Sequence, residues 1–376
     1  MKIYFDNAAT TPIATEVLHE IIPILEKNYG NPSATHALAR ESKSIIELAR
    51  KKVANLLHCN AYEIIFTSGG TEANNMAIKG AVQAFDVKRI ITSPIEHHSV
   101  LHTVDYVQKN DNVRVQFVQI LKNTQIDLDH LNKLLAESNE KTLVSLMHAN
   151  NEIGTLTDIN RVSEICKMHN ALLHVDTVQT MAHYHFDLSN IKIDFISGSA
   201  HKFHGPKGVG FLYNNSKSKI KSFIHGGGQE REMRAGTENI YGIAGLAKAM
   251  DLAYENLYND KKHIEYLKSY CIELLERNFD DFKINGDSEH SLYSILNFSI
   301  DAKKQSNLML FMLDMQGLYC SGGSACSSGA DKGSHVINAI YGNENRQPIR
   351  FSFSKYNTIS EVENAIQILK QIVNSN

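Results

Sequence analysis

From about residue 40 to residue 212, short apolar runs alternate with stretches whose apolar residues recur every three or four positions. The runs predict strands over 63–67, 89–92, 113–120, 143–147, 171–175, 194–197 and 208–213. The helical spacing between them is clearest over 71–83 and 160–169. Alternation of this kind predicts an α/β class, with a mainly parallel sheet sandwiched by helices on both faces. A long helical pattern over 241–278 then leaves the sheet. It leads to a strand over 296–300, a helix over 307–315, a strand over 349–352 and an amphipathic helix over 360–373. Those elements predict a smaller, compact α+β C-terminal domain. No internal repeat and no low-complexity segment interrupts the chain.

Composition narrows the functional classes. The chain has 376 residues, 43% of them hydrophobic, with a formal net charge of −3. That is enough for one large and one smaller core. The near-neutral balance argues against a nucleic-acid footprint or binding to an anionic membrane. No apolar run approaches the length of a spanning helix, and the start lacks the apolar core of a secretory signal. A soluble, cytoplasmic protein is the expectation. The five cysteines include no CxxC pair, so a disulfide framework is not expected. Cys166 and Cys271 fall in helical patterns and read as buried apolar residues.

Polar motifs cluster just after the predicted strands, where ligands of parallel sheets bind. Ser68-Gly69-Gly70-Thr71-Glu72 offers a glycine turn, a hydroxyl and a helix N-terminus, which suits an anion and equally an N-cap. Asp176-Thr177-Val178-Gln179 puts a carboxylate where it can hold a proton on a heterocyclic nitrogen, or open a helix. Ser199-Ala200-His201-Lys202 sets a lysine among small residues, suited to a Schiff base or to a solvated surface. Glu96-His97-His98 has no companion at metal spacing, so no metal site is expected. An imidazole there can stack on an aromatic group and shuttle protons, or satisfy local hydrogen bonds. A glycine-rich, basic segment over 226–237 ends in Thr237, and Arg350 lies in a late strand where it can clamp a carboxylate. Cys326, ringed by Gly, Ser and Ala in SGGSACSSG, is placed like a thiol that must be reached. Each segment alone is weak. Their order supplies the parts that a pyridoxal phosphate site requires, a Schiff-base lysine and a partner for the pyridinium nitrogen among them.

The sequence resembles the cysteine desulfurases of the class V branch of fold-type I aminotransferases over nearly its whole length. The resemblance is carried by YFDNAATTP, YGNPSATH, FTSGGTEANN, IEHHSV, MHANNEIG, HVDTVQ, SGSAHKFHGPKGVG, HGGGQERxxRAGTEN, SGGSACSSG and IRFSFS. It is strongest to the long-loop group of nitrogen fixation and iron–sulfur assembly. It implies a seven-stranded-type sheet, a large pyridoxal-phosphate-binding domain over 15–245, and a small domain from 1–14 and 246–376. The cysteine loop spans about 320–335 in the latter.

Residue by residue, the resemblance implies that Lys202 forms the Schiff base and moves the Cα proton. Asp176 pairs with the pyridinium nitrogen, Gln179 reaches the ring hydroxyl, and His97 stacks on the ring and transfers protons. Gly70, Thr71, Ser199 and His201 bind the phosphate, Asn151 lies in the cofactor pocket, and Thr237 reaches the phosphate of the neighbouring subunit in a homodimer. Arg350 holds the substrate carboxylate with Asn31 close by, and Cys326 is the nucleophile. The implied reaction turns L-cysteine into L-alanine, leaving a persulfide on Cys326 for a sulfur-acceptor protein in iron–sulfur assembly or tRNA thiolation. Other chemistry on the same fold would be that of a selenocysteine lyase, a cysteine C–S lyase or a class V transaminase. A silent regulator of assembly is the reading from a different class. Two departures stand out. The chain ends shortly after its last helix, which puts scaffold docking by a C-terminal tail in doubt. Cys320 replaces a small apolar residue near the nucleophile, where packing is the favoured reading.

Overall fold

The computed structural model describes residues 2–218, 220–300, 308–323, 333–342 and 347–374. The chain opens with β1 (Ile3–Tyr4), α1 (Thr15–Lys27) and α2 (Ala37–Leu56). A strand–helix series follows: β2 (Ile64–Thr67), α3 (Gly70–Phe85), β3 (Arg89–Thr92), α4 (His98–Asn110), β4 (Arg114–Phe117) and α5 (Leu128–Ala136). It continues with β5 (Thr142–Met147), α6 (Ile159–Met168), β6 (Leu172–Asp176), β7 (Phe195–Ser199) and β8 (Gly210–Asn214). Then come α7 (Ile240–Glu255), α8 (Leu257–Asn278), β9 (Lys283–Ile284), β10 (Ile295–Ser299) and α9 (Met309–Met315). The chain closes with β11 (Leu318–Tyr319), α10 (His335–Tyr341), β12 (Pro348–Ser352) and α11 (Ile359–Asn374).

Seven strands form the main sheet in the order β2-β8-β7-β6-β5-β3-β4. All neighbours are parallel except β8, which runs antiparallel to both β2 and β7. The mainly parallel, seven-stranded sheet predicted from the sequence is therefore present. Two antiparallel steps return β2 to the direction of β7, so their carboxyl ends share one edge. Alternate side chains go to opposite faces, as the pleat requires. Ile64 and Phe66 enter the core beneath α1, α2 and α7, while Ile65 enters the core beneath α3 and α4. Burial on both faces explains the near-continuous apolar runs of the inner strands.

A separate core gathers Phe5 from the N-terminal segment with residues of α8, β10, β12 and α11. Its sheet has the order β12-β10-β9, and β1 pairs in parallel with β11. Two sequence expectations change here. The helical pattern over 241–278 is two helices that meet at Asn256, whose side chain turns back to the Leu252 carbonyl at 2.9 Å. The strand expected over 113–120 joins the main sheet as β4 only over Arg114–Phe117, at the sheet's edge where its side chains are half-buried or exposed, and Ile120 instead bridges to Ile126. Cys166 and Cys271 are buried, as expected. Cys320 packs half-buried against the second core, and burial raises its thiol far above the ordinary range.

Candidate active site

Five of the segments named from the sequence follow the carboxyl end of a sheet strand: β2 before Gly70, β3 before His97, β5 before Asn151, β6 at Asp176 and β7 at Ser199. The sheet therefore delivers them to one edge. There a cavity of about 230 Å³ is lined by Gly70, Thr71, His97, Asn151, Asp176, Gln179, Ser199, His201, Lys202 and Arg350. Ten of the expected residues thus share one space. Asn31 is not among them: it sits on an exposed loop, where its Oδ1 accepts the Ser33 amide at 3.0 Å. Nor is Thr237, which is exposed in another cavity, of about 100 Å³, beside Ser68, Gly208 and Arg234. Cys326 lies outside the described residues.

Asp176 is the last residue of β6, and its buried carboxylate is held by two donors. Val178 N donates to Oδ1 at 2.9 Å, and Asn74 Nδ2 to Oδ2 at 2.7 Å. Asn74 also donates to Ser99 Oγ at 2.9 Å, so it couples the carboxylate to the start of α4. There His97 caps the helix. Its Nδ1 accepts the Ser99 amide at 3.1 Å, which requires that nitrogen to be unprotonated and puts the ring proton of the neutral form on Nε2. Burial, and then the nearby Lys202 charge, hold this imidazole below its ordinary range despite the pull of Asp176.

Lys202 ends a short 3₁₀ turn directly after β7. Its Nζ donates to the carbonyls of Ala8 at 2.5 Å and Ala9 at 2.9 Å. Gln179 Nε2 donates to the same Ala8 carbonyl at 3.0 Å, so the N-terminal segment locates both side chains. His201 Nδ1 lies 3.2 Å from Thr10 Oγ1, and burial beside Lys202 lowers this imidazole to about 4. It is therefore neutral at pH 7.

The α3 N-terminus lines the same cavity. Gly69 has φ 152°, a conformation that glycine adopts at little cost. A Cβ on Gly70 would lie 2.5 Å from Val178 Cγ2, so the helix comes close to the Asp176 turn only because that carbon is absent. The first amides of α3 have no partner within the helix and sit at its positive end. With the hydroxyls of Thr71 and Ser199 they make an anion cradle.

Arg350 enters from β12. Its side chain is 2% exposed, and it donates from Nη1 to the Asn151 carbonyl at 2.6 Å and from Nη2 to Asp6 Oδ1 at 2.7 Å. Arg350 Nε and the Oδ1 atoms of Asn151 and Asn74 are buried with no partner among the described residues. Such groups call for a polar occupant of the cavity. An anion cradle, a fixed carboxylate and an amine that line one cavity match the phosphate, ring nitrogen and aldehyde of pyridoxal phosphate, so these residues fit that cofactor.

Asn74, Ser99, Ala8, Ala9 and Asp6 were not singled out in the sequence. Asn74 lies within the FTSGGTEANN motif, yet its role depends on a partner 102 positions away. Glu96 is a further buried carboxyl close by. Its Oε1 accepts Ser93 Oγ at 2.9 Å and the Met147 amide at 3.0 Å, and burial raises it to about 8. No group of three metal-ligating side chains occurs among the described residues.

The aminotransferase class-V family pattern matches residues 3–365. "Cysteine desulfurase IscS" of Dictyoglomus turgidum is 40% identical over 99% of this chain and 94% of its own length. A solved "NifS-like protein" superposes with a TM-score of 0.92 at 37% identity, covering 99% of both chains. "SspA in complex with cysteine" superposes with a TM-score of 0.80 at 29% identity, over 95% of this chain and all of that one.

Proposed function

The chain belongs to the aminotransferase class-V family, and on that premise we propose that it is a pyridoxal-phosphate-dependent L-cysteine desulfurase. The observation that carries the reading is the single cavity that joins Lys202, Asp176, His97, the α3 N-terminus and Arg350. Relatives named cysteine desulfurase align over nearly the full chain, and one structural neighbour is described as a complex with cysteine. SGGSACSSG supplies the thiol.

The cofactor would be held by Asp176 at its ring nitrogen, by Gln179 at its ring oxygen, and by Gly70, Thr71, Ser199 and His201 at its phosphate. When bound, it supplies the electron sink that makes the substrate's Cα proton removable. Lys202 Nζ takes and returns that proton. Arg350 fixes the substrate carboxylate, with Nε the unused donor of its fork. His97, neutral with its proton on Nε2, serves as proton donor and, once that proton is given, as acceptor. The Cys326 thiolate attacks the sulfur of L-cysteine. The sulfur–carbon bond breaks, a proton returns to the carbon, alanine leaves, and Cys326 retains the sulfur as a persulfide.

A homodimer is part of this reading. The exposed loop of Asn31 lies near the 226–237 segment, where Gln229 Nε2 is 3.5 Å from Ser33 Oγ. Exposed Thr237 near that loop is what a residue serving a neighbour's phosphate requires. We assign the large domain to 15–245 and the small one to 1–14 with 246–376, although the first core reaches on through α7 to Met250, and the persulfide's destination to a sulfur-acceptor protein. Among the described residues no helix is long and apolar enough to cross a membrane. A cytoplasmic setting suits the four cysteines that are free there.

The test is to add L-cysteine to the purified yellow protein and to measure alanine, sulfide and persulfide. Lys202→Ala should make no alanine, and alanine formation by that variant would remove the cofactor assignment. Cys326→Ala should lose the persulfide and the turnover. Undiminished turnover would point instead to a C–S lyase.

A further inference from the structure

Arg350 has a negative partner before any substrate arrives. Asp6 Oδ1 accepts its Nη2 at 2.7 Å, and the Arg350 side chain is 2% exposed, so the guanidinium of this pair is desolvated. The same Asp6 oxygen accepts Ser321 Oγ at 2.9 Å. Ser321 and Arg350 also exchange backbone hydrogen bonds, Arg350 N to Ser321 O at 2.6 Å and Ser321 N to Arg350 O at 3.4 Å. The guanidinium is thus held on two sides, by Asp6 and by the Asn151 carbonyl, with Nε left over.

We propose that Asp6 is a positioning residue and internal counter-charge for Arg350, which weakens the grip on the carboxylate common to substrate and product so that alanine can leave. The inference rests on the reading of Arg350 as the carboxylate clamp. A second carboxylate at this guanidinium shares its charge with Asp6 and is repelled by it. Two carboxylates on one guanidinium sit on the order of 6 Å apart, and at an effective dielectric near 20 their repulsion weakens binding by up to about a hundredfold. Asp6 is 19% exposed, and water reduces this to about tenfold. Fixing the fork speeds correct seating, while the counter-charge keeps substrate and product from being held too long.

The test uses the cofactor-loaded enzyme and two ligands that differ only by the carboxylate, L-alanine and ethylamine, with affinities read from the visible band of the cofactor. Asp6→Asn removes the charge and keeps the oxygen. It should tighten L-alanine about tenfold, leave ethylamine unchanged, and lower KM and kcat for L-cysteine together. Asp6→Ser, smaller and also uncharged, should act in the same direction and serves if the Asn variant does not fold. Ser321→Ala, which keeps the Asp6 charge, should leave L-alanine affinity unchanged. The inference is overturned if Asp6→Asn leaves L-alanine unaltered, shifts both ligands equally, or is reproduced by Ser321→Ala. Arg350→Gln separates the two levels. If the preference for alanine over ethylamine survives that change, the clamp reading itself is wrong; if Arg350→Gln abolishes it and Asp6→Asn does not touch it, only the role of Asp6 is wrong.

Discussion

Glu96 makes a pH dependence that can be worked from its surroundings. The residue is fully buried between β3 and α4. Burial drives its carboxyl to about 8, and the nearby Asp176 charge adds to that, against the hydrogen bonds from Met147 and Ser93. Its unfolded value is near 4.5. Between those values the folded chain holds a proton that the unfolded chain has released. Unfolding then sheds that proton, so stability falls as pH rises, tenfold in the folding constant per pH unit. The contribution is whole below the unfolded value and is lost as pH climbs to the folded one. From pH 5 to pH 7 the loss is about 3 kcal/mol. Glu96→Gln keeps an oxygen for Ser93 and Met147 and removes the titration. Urea unfolding of both proteins at pH 5, 6, 7 and 8 should show the variant gaining on the parent at each step, by about 3 kcal/mol over the first two units. A difference that stays flat with pH would mean that Glu96 is already ionised in the fold, and the argument from burial would fail.

Three further outcomes follow from the geometry. His97 is held below the ordinary imidazole range, so the acid limb of cysteine turnover should lie below that range, and a pH profile of His97→Gln should lose that limb. Arg50 and Glu230 are each 3% exposed and paired at 2.7 Å, and they brace β2 through the Ile64 carbonyl and the Phe66 amide. Arg50→Ala should cost about 3–5 kcal/mol in urea unfolding, with much of it recovered when Glu230 is also replaced by Leu. Gly70→Ala would press a carbon to 2.5 Å from Val178 Cγ2, and should lower cofactor affinity about tenfold in a spectral titration while circular dichroism stays unchanged.

The sheet was legible because its strands are buried on both faces, which leaves no polar alternation to blur them. The edge strand β4 was legible as a strand but not in its bounds, since one side of its ladder is open and its side chains reach solvent. The break at Asn256 was hidden because Asn is tolerated within a helical pattern, and only its turn back to Leu252 shows where one helix ends. In the site, Lys202, Asp176 and Gly70 could be found from their places after strands. Asn74 and Asp6 could not. Each is a common polar residue whose meaning comes from a partner far along the chain, Asp176 for one and Arg350 for the other.

The same long-range pairing explains why the N-terminal residues matter to a site built on the large sheet. Ala8 and Ala9 hold Lys202 by their carbonyls, Ala8 also holds Gln179, and Asp6 holds Arg350. Phe5 is packed within the second core, and its carbonyl accepts the Ser352 amide at 2.8 Å. One stretch of four residues, 6–9, therefore fixes the amine from the first core and the guanidinium from the second in a single frame. A shift of that stretch moves the group that takes the Cα proton and the group that seats the carboxylate together. Their separation is thus set by short backbone geometry instead of by the packing of two independent cores, and proximity effects on rate demand that kind of fixed spacing.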